Sequence, residues 1–189
     1  MSKALTTDKS TFDNSWYKPG SFIKRTVWYF INAIFFMNPL FPFRSIKPSL
    51  LRMFGAKVGH HCLIKPSVNI KYPWFLEMGD YVTLGERVWV DNLAKVKLGS
   101  QVTLSQGVVL ITGNHNYKSV SFDLIVKEIH IQEGAWIGAN AIVGPGVIVG
   151  KNAVLSMGAS ATKDLDANTI YAAGDPQAVR KRVFEVKPV

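Results

Sequence analysis

A period of six residues organises the hydrophobic positions in the second half of the chain. From Ile131 to Ala161 one column of mostly large aliphatic side chains recurs at every sixth position, with a column of small residues between them. The first column holds Ile131, Ile137, Val143, Val149, Leu155 and Ala161, and the second holds Ala135, Ala141, Val147, Ala153 and Ala159. Helices repeat about every 3.6 residues and strands every two, so a six-residue period predicts a stacked repeat.

Three six-residue units complete one coil of a parallel β-helix with three short strands per turn. Residues 18 positions apart should then stack, which pairs Ile131 with Val149, Ile137 with Leu155, and Val143 with Ala161. Gly138, Gly144 and Gly150 directly follow column residues, at corners where we expect no room for a large side chain. Because no coil buries its apolar column alone, neighbouring coils must stack and the ends need caps.

The same pattern extends upstream with breaks. It begins at Val58 and Ile64 and is interrupted over 70–75. It resumes at Met78, shifts by two residues before Leu98, and ends at a polar excursion over residues 111–130. The predicted fold is an all-β solenoid over residues 58–175, preceded by an N-terminal region (1–57) and followed by a basic C-terminal tail (176–189).

The N-terminal region begins with an irregular arm over residues 1–20. Residues 22–43 are rich in Trp and Phe, and the apolar run within them is too short to span a bilayer and is stopped by Pro39 and Pro42. Two compatible interpretations remain open. The segment is a helix that caps the open end of the solenoid, or an interfacial helix whose cations Lys24, Arg25 and Arg44 face anionic headgroups. A second short helical segment follows from Pro48.

Composition supports an ordered domain with an anionic partner. Of the 189 residues, 48% are hydrophobic and 19% charged, and residues 1–57 carry seven of the nine net positive charges. A membrane surface or a nucleotide-linked substrate fits this charge better than nucleic acid, because no nucleic-acid-binding motif accompanies it. A single cysteine, Cys62, and a polar N-terminus without a signal sequence predict a cytoplasmic protein, with the inner face of the membrane left open.

Longer motifs are more specific than the repeat. They are FGAKVG (54–59), YPWFLEMGDY (72–81), SQGVVLITGNHNY (105–117), FDLI (122–125), EGAWIGANAIVGPGV (133–147) and TKDL (162–165). Together they resemble the left-handed β-helix, hexapeptide-repeat acyltransferases, and in detail the colanic-acid-type (WcaF-like) sugar O-acetyltransferases of exopolysaccharide biosynthesis. The C-terminal AAGDPQAVRKR is similar to that family's tail, with Gln177 as a departure. The resemblance covers nearly the whole chain.

The resemblance implies a left-handed coil, a homotrimer with active sites between subunits, acetyl-CoA as donor, and a sugar hydroxyl as acceptor. Acetyl transfer from a thioester to an alcohol needs a base that takes the hydroxyl proton, and histidine is suited to this near neutral pH. His115, in the TGNHNY motif, matches the family's catalytic histidine. We expect direct attack on the thioester without an acyl-enzyme.

The remaining candidate residues bind the two substrates. Predicted acceptor contacts are Asp91, Asn92, Asn114 and Tyr117, and the loop over 116–128 is expected to reach a neighbouring subunit. Predicted acetyl-CoA contacts are Trp136, Gly138, Ala139, Gly158, Ala159, Thr162, Lys163, Arg180 and Lys181. Arg180 and Lys181, together with the neighbouring Arg182, are expected to bind the 3′-phosphate.

No metal is predicted. His60 and His61 are adjacent and tend to point to opposite faces, and His130 precedes a repeat. The paired histidines of the zinc-dependent β-helix carbonic anhydrases are missing. Cys62 is expected to be a small buried thiol, and GPGVIVG follows the hexapeptide register instead of a dinucleotide fingerprint.

Three functional hypotheses follow. The first is an O-acetyltransferase acting on a sugar, lipid-linked or free, in surface glycan synthesis. The second keeps the fold and the donor but changes the acceptor to an antibiotic, amino acid or amino sugar. The third is a structural assembly protein without chemistry. The fold and the donor site are common to many specificities, so the sequence does not identify the acceptor.

Overall fold

Short strands wound into three parallel sheets make up most of the chain. The computed structural model describes residues 6–172 and the backbone of residues 178–181. Two helices come first, α1 (Phe22–Ile31), which continues as a π-helical turn (Asn32–Phe36), and α2 (Ile46–Met53). The strands are β1 Lys57–Val58, β2 Leu63–Ile64, β3 Asn69–Ile70, β4 Leu76–Met78, β5 Thr83–Leu84, β6 Trp89–Asp91, β7 Val96–Leu98, β8 Thr103–Leu104, β9 Val109–Ile111, β10 Gly113–His115, β11 Leu124–Val126, β12 Ile129–Ile131, β13 Trp136–Ile137, β14 Ile142–Val143, β15 Ile148–Val149, β16 Val154–Leu155, β17 Ser160–Ala161, β18 Thr169–Tyr171 and β19 Ala178–Lys181.

Apart from the two strands of a hairpin, β10 and β11, every third strand up to β17 joins the same sheet. The first sheet runs β1-β4-β7-β12-β15 and the third runs β3-β6-β9-β14-β17, while β2-β5-β8-β13-β16-β18 form the second, with β19 antiparallel at its end. The observed register pairs Ile131 with Val149, Ile137 with Leu155, and Val143 with Ala161. The predicted solenoid and its 18-residue stacking are therefore confirmed.

The first three coils are longer than the coil from Ile131 to Val149, which advances by 18 residues. Val58 pairs with Met78 and Met78 with Leu98, so the first two coils advance by 20 residues each. Leu98 pairs with Ile131, so the third coil advances by 33. The placement of the first interruption at Ile70 was wrong by one residue. Ile70 is fully buried and pairs with Val90, so the column continues through it and the insertion begins afterwards.

All insertions fall at one corner of the prism, between the third sheet and the first. They follow β3, β6 and β9, and the last one contains the hairpin β10-β11. Chain inserted at a corner leaves the strands before and after it in register. The three sheets therefore keep their pairing while this single edge gains extra residues.

The column residues fill the interior, and glycine spacing follows from how closely the coils stack. A Cβ added at Gly138 would lie 2.5 Å from the backbone nitrogen of Met157 on the next coil. Left-handed backbone conformations occur elsewhere, at positions such as Asn140, Gly146 and Asn152. Where glycine directly follows a column residue, the next coil leaves little room for a side chain. The corners themselves lie two residues further on, at Asn140, Gly146 and Asn152.

The outer face of the first sheet is a ladder of charges. Glu77 forms ion pairs with Lys57 and Lys95, and Glu128 lies between Lys97 and His130. The hydrogen bond from the His130 ring lowers the pKa of Glu128 below its usual range. His130 is thus part of a solvent-facing ion-pair row.

The N-terminal helices pack over the first coil. Trp28 is buried, and its indole Nε1 donates to the Ile70 carbonyl at 2.7 Å. Phe36 contacts the Trp28 ring at a centroid distance of 5.3 Å, and Asn32 Nδ2 donates to Asn69 Oδ1 at 2.8 Å. The apolar end of the solenoid is therefore covered by the buried side of α1 and the π-helical turn.

Close stacking predicts that Gly99→Ala destabilises the protein more than Gly144→Ala. A Cβ at Gly99 would lie 2.6 Å from the Glu133 backbone nitrogen, whereas at Gly144 the nearest atom is 3.2 Å away. We expect the first substitution to lower the free energy of unfolding by about 1–3 kcal/mol and the second by under about 1 kcal/mol. Urea unfolding measures both, and equal losses would contradict the stacking explanation.

Candidate active site

His115 lies at the end of the first strand of the hairpin, held by the second. It pairs with Leu124 across the hairpin, its Nδ1 lies 2.9 Å from the Phe122 carbonyl oxygen, and its ring stacks on the Phe122 ring at 4.4 Å. Because a carbonyl oxygen only accepts, Nδ1 must carry a proton in this bond. In the neutral imidazole, Nε2 is then the basic nitrogen.

Phe122 adopts an unusual backbone conformation to make this contact. Its φ is +55°, a left-handed value that is uncommon for a bulky side chain. Such strain costs on the order of 1–3 kcal/mol and persists only where the surroundings enforce it. The hairpin therefore maintains a strained residue whose carbonyl and ring both orient His115.

A cleft of about 800 Å³ opens beside His115, and the N-terminal arm forms one of its walls. The Asp8 amide donates to the Val120 carbonyl at 2.8 Å, and the Phe12 ring lies 5.9 Å from the His115 ring. Residues of the arm, of α1 and of the insertion corner line the cleft, among them Asn14, Tyr17, Lys18, Gly20, Arg25, Lys71, Tyr72 and Leu93. The sequence does not predict this role of the arm, because the arm carries no recognisable motif and its contacts are distant along the chain.

Tyr17 ties the arm to the insertion corner. Its hydroxyl donates to the Leu93 carbonyl at 2.7 Å. Burial raises the pKa of the phenol above its ordinary value, and the nearby Tyr72 and Asp91 add to the rise. Tyr17 therefore remains a neutral hydrogen-bond donor at physiological pH.

Asp91 and Asn92, adjacent in sequence, have different environments. Asp91 Oδ1 lies 2.8 Å from Lys71 Nζ, next to the cleft. Asn92 is fully buried, accepts from the Tyr72 amide at 2.9 Å and donates to the Tyr72 carbonyl at 2.7 Å. Both the oxygen and the nitrogen of its side-chain amide bond the Tyr72 backbone. Asn92 therefore supports the turn at Tyr72 and is not placed to contact an acceptor sugar.

Asn114 and Tyr117 lie on the hairpin next to His115 but outside the lining of the cleft. Asn114 is exposed, and its Oδ1 accepts from the His115 amide at 2.8 Å. The Tyr117 side chain is 74% exposed. Both side chains therefore lie in solvent, outside the cleft of this chain.

Three of the residues predicted to bind acetyl-CoA line a second groove, of about 520 Å³, on the second sheet. Trp136, Gly138 and Ala139 lie in it, together with Ser105, Gln106, Ser156 and Met157. The Trp136 indole donates to Ser105 Oγ at 2.9 Å, which fixes the ring along the groove. Ser105 and Gln106 belong to the SQG motif but were not among the predicted contacts of acetyl-CoA.

The remaining candidates are not among the lining residues of this groove, although the Gly158 amide donates to the carbonyl of Ala139, which lines it, at 2.8 Å. Ala159 is fully buried, and Gly158, Thr162 and Lys163 are exposed on the following coil. The side chains of Arg180, Lys181 and Arg182 lie outside the described part of the chain. The groove and the His115 cleft share no lining residue, so a single chain presents them as two separate cavities.

Across residues 6–172, no three His, Cys, Asp or Glu side chains converge as metal ligands would. His61 stacks on the Tyr81 ring at 4.8 Å, with the His60 ring 6.4 Å away. Burial raises the pKa of the Cys62 thiol, and its sulfur contacts the Gly79 carbonyl oxygen at 3.2 Å. Cys62 is therefore a partly buried thiol with little thiolate character.

Comparison with known proteins agrees with this architecture. The family description "Bacterial transferase hexapeptide (six repeats)" matches residues 128–160. WcaF of Escherichia coli (strain K12), named as a colanic acid biosynthesis acetyltransferase, is 35% identical over 168 residues, 88% of this chain and 92% of its own. A galactoside O-acetyltransferase of Lactococcus lactis subsp. lactis (strain IL1403) is 31% identical over 147 residues, 71% of this chain and 66% of its own.

A solved structure shares the fold. It is a hexapeptide-repeat-containing acetyltransferase from Vibrio cholerae O1 biovar eltor, complexed with acetyl coenzyme A, with a TM-score of 0.76 and 18% identity over 86% of this chain and 88% of its own. The left-handed parallel β-helix implied by the sequence resemblance is thereby confirmed. From the coil register, the hairpin histidine and these similarities, we conclude that the chain belongs to the hexapeptide-repeat acetyltransferases.

Proposed function

We propose that the protein transfers an acetyl group from acetyl-CoA to a saccharide hydroxyl, with His115 as general base. The observation that carries this proposal is the His115 geometry, in which Nδ1 donates to the Phe122 carbonyl beside an open cleft. An acetyltransferase that uses a base needs an imidazole locked in one tautomer next to a space for the acceptor. The relatives named for colanic acid biosynthesis and galactoside O-acetylation support a sugar acceptor and a role in surface glycan synthesis.

The reaction is a direct displacement. The His115 Nε2 lone pair takes the proton of the acceptor hydroxyl as its oxygen attacks the thioester carbonyl carbon. The carbon–sulfur bond then breaks, the sulfur leaves as thiolate, and the imidazolium returns the proton to it. The products are an acetyl ester and CoA, and no acyl-enzyme is needed. The Phe122 carbonyl stabilises the imidazolium through its bond to Nδ1, which is the role of a third group behind a catalytic base.

We assign the groove on the second sheet to the donor. Small residues at Gly138 and Ala139 leave the backbone open, while Trp136 supplies an apolar wall along one side. A pantetheine arm carries amides and an apolar chain, which suits a groove with this mixture of surfaces. The exposed Lys163 on the next coil, and the cations at 180–182, are the proposed partners of the nucleotide phosphates.

A homotrimer would bring donor and base together. His115 and the donor groove occupy separate cavities in one protomer, so a thioester in the groove needs a histidine from elsewhere. The outer face of the third sheet carries a row of apolar side chains, including Trp89 and Ile142, which are 43% and 38% exposed. Such a row is typical of a surface covered by another subunit. We infer active sites between neighbouring copies.

A membrane surface is the partner we assign to the outer side of α1. Phe22, Ile23, Val27, Phe30, Ile34 and Met37 form an exposed apolar stripe on the side opposite Trp28. In the part of the chain that the structure describes, no helix has the length and apolar character needed to cross a bilayer. A helix lying in the plane of the interface needs no such length, and the net positive charge of residues 1–57 favours anionic lipids.

The cations expected at the headgroups have different surroundings. Lys24 is exposed, with its Nζ 4.4 Å from the centre of the Trp74 ring. Arg25 lines the cleft beside His115 and also a shallow groove with Phe22 and Phe30 of the stripe. Arg44 is exposed, close in sequence to Leu40 and Phe43, which are 86% and 65% exposed. Arg44 is therefore the cation of the three that we assign to the headgroups alone.

His115→Ala should lower kcat by about 10²–10⁴-fold, because the hydroxyl proton then has no acceptor of suitable pKa. Acetyl-CoA binding, followed by the shift in Tm on adding it, should change little. His130→Ala, in the outer charge ladder, is the matched control and should retain wild-type turnover. Near-wild-type turnover of His115→Ala would exclude the proposed base.

Ala139→Phe should raise KM for acetyl-CoA by about tenfold or more, because the ring would fill the groove beside Trp136. Release of the CoA thiol at varied acetyl-CoA gives KM directly. The same assay on Ile148→Phe, which enlarges an exposed side chain on the first sheet, controls for surface bulk. An unchanged KM in Ala139→Phe would place the donor elsewhere.

The double variant Phe30→Ser, Ile34→Ser should bind membranes at least about tenfold more weakly, because complete burial of such a side chain contributes about 1.5–3 kcal/mol and roughly half of each is still exposed. Co-sedimentation with phosphatidylcholine vesicles, with and without phosphatidylglycerol, measures this. Both residues are exposed, so the cap formed by Trp28 and Phe36 remains intact. Ile148→Ser is the control, and equal sedimentation of the double variant and wild type would refute membrane contact through α1.

A further inference from the structure

We propose that the acceptor is an anionic saccharide, carrying a phosphate or a carboxylate that Arg25 and Lys18 bind in the cleft beside His115. The inference rests on the proposed function, since it names the class of acceptor that the cleft takes. Phosphate and carboxylate share the chemistry that matters here, a compact anion with several acceptor oxygens.

The cleft carries excess positive charge. Lys18, Arg25 and Lys71 line it, and Asp91 pairs with Lys71 at 2.8 Å. The charges of Lys18 and Arg25 are left without an ion-pair partner within 4 Å among residues 6–172. A concave site lined by one sign of charge concentrates ligands of the opposite sign. The cleft therefore favours an anion over a neutral sugar.

The acids of the arm form no close ion pair with these cations. Asp8 accepts from the Ser10 amide at 3.0 Å and the Ser10 hydroxyl at 2.6 Å, while Asp13 accepts from the Ser15 amide at 2.8 Å. Neither aspartate lines the cleft. Local hydrogen bonds to these serines lower the pKa of each carboxyl, and the charge of Lys18 adds to the effect at Asp13, so Lys18 is partly compensated and Arg25 is the main anion-binding cation. Their carboxylates thus cap turns of the arm itself.

Arg25 has an unsatisfied donor. Its Nε is buried and has no hydrogen-bond partner among residues 6–172. A buried donor without a partner costs about 1–3 kcal/mol, and more when the group is charged. An oxygen of a bound anion would remove this cost. Arg25 is also fixed in place, since it lies in the first turn of α1, whose other side packs on the solenoid.

A second unsatisfied donor lies nearby. The Trp74 indole Nε1 is buried without a partner in the same described range, and the ring packs against Gly20, which lines the cleft. Buried polar groups in native structures are nearly always hydrogen-bonded, so each exception needs an explanation. Arg25 lines the basic cleft and Trp74 packs behind Gly20, so an acceptor-rich ligand in the cleft would satisfy the Arg25 donor. The third buried atom without a hydrogen bond among residues 6–172, Asp91 Oδ1, faces Lys71.

The shape of the site favours a saccharide over a bare ion. The cleft has a volume of about 800 Å³, and the aromatic rings of Tyr17 and Tyr72 line it together with the cations. Aromatic faces pack against the apolar faces of sugar rings, while the cations bind the charged substituent. His115 lines the same cleft, so an anion held at Arg25 would fix the sugar relative to the base.

The experiment compares matched acceptors on the full-length protein with acetyl-CoA, following release of the CoA thiol. Glucose, galactose and mannose are each supplied as the neutral sugar, the 1-phosphate and the uronic acid. We expect an anionic member to exceed its neutral counterpart at least tenfold in kcat/KM. The phosphate and uronate arms separate the two sources of the anion.

Variants test the residues. Arg25→Gln and Lys18→Gln should each reduce the anionic-to-neutral ratio of kcat/KM about tenfold, and Arg25→Lys should restore part of it. Lys151→Gln, which removes one exposed charge on a distant coil, should leave the ratio unchanged. Urea unfolding of each variant establishes that it is folded before the ratio is interpreted.

The outcomes are distinguishable. Equal or better turnover of the neutral sugar, or an unchanged ratio in both Arg25→Gln and Lys18→Gln, would overturn the anionic-acceptor inference while leaving sugar acetylation intact. No thiol release with any acceptor would reject the proposed function and this inference together. A preference that Lys151→Gln abolishes equally would reduce the effect to general surface charge.

Discussion

Coil-on-coil stacking is the constraint on which the rest of the structure depends. Each strand is only two to four residues long, so its hydrogen bonds and its buried side chain are useful only when the next coil lies directly above it. The approach is close enough that a Cβ at Gly99 or Gly138 would meet neighbouring backbone. Register is therefore fixed at every level, and the first coil must be covered, which the Trp28 side of α1 does.

The stacking also explains how a short loop becomes a site. The hairpin leaves the third sheet after β9 and returns to the first sheet at β12, so its ends are held by two rigid strands. Within it, Phe122 is strained and His115 is oriented by the Phe122 carbonyl. The N-terminal arm then closes one side of the cleft through Phe12 and Tyr17. The cleft is thus built from segments that are far apart in sequence.

How much of this the sequence could predict depends on the range of the interaction. The column from Ile131 to Ala161 repeats locally, so the solenoid and its pairing followed from it. His115 was identified because its neighbours form a resemblance motif. The cleft residues Tyr17, Lys18 and Arg25 were missed, since the cleft brings them together with Leu93 and His115, in segments that no local pattern connects. Asn92 was predicted to contact the acceptor, whereas its buried amide bonds the Tyr72 backbone. In the sequence, such an asparagine cannot be distinguished from an exposed asparagine in a turn.

The shared corner of the insertions has a consequence for how such proteins diversify. Lys71, Tyr72 and Leu93 belong to the first two insertions, and His115 belongs to the third. Segments of different length or sequence could be exchanged at this edge without altering the pairing within the three sheets. Insertion or deletion of one residue within a hexapeptide would instead shift the register of every coil after it. Exchange of these loops would reshape the cleft beside His115, while the groove on the second sheet, which shares no lining residue with the cleft, would stay as it is.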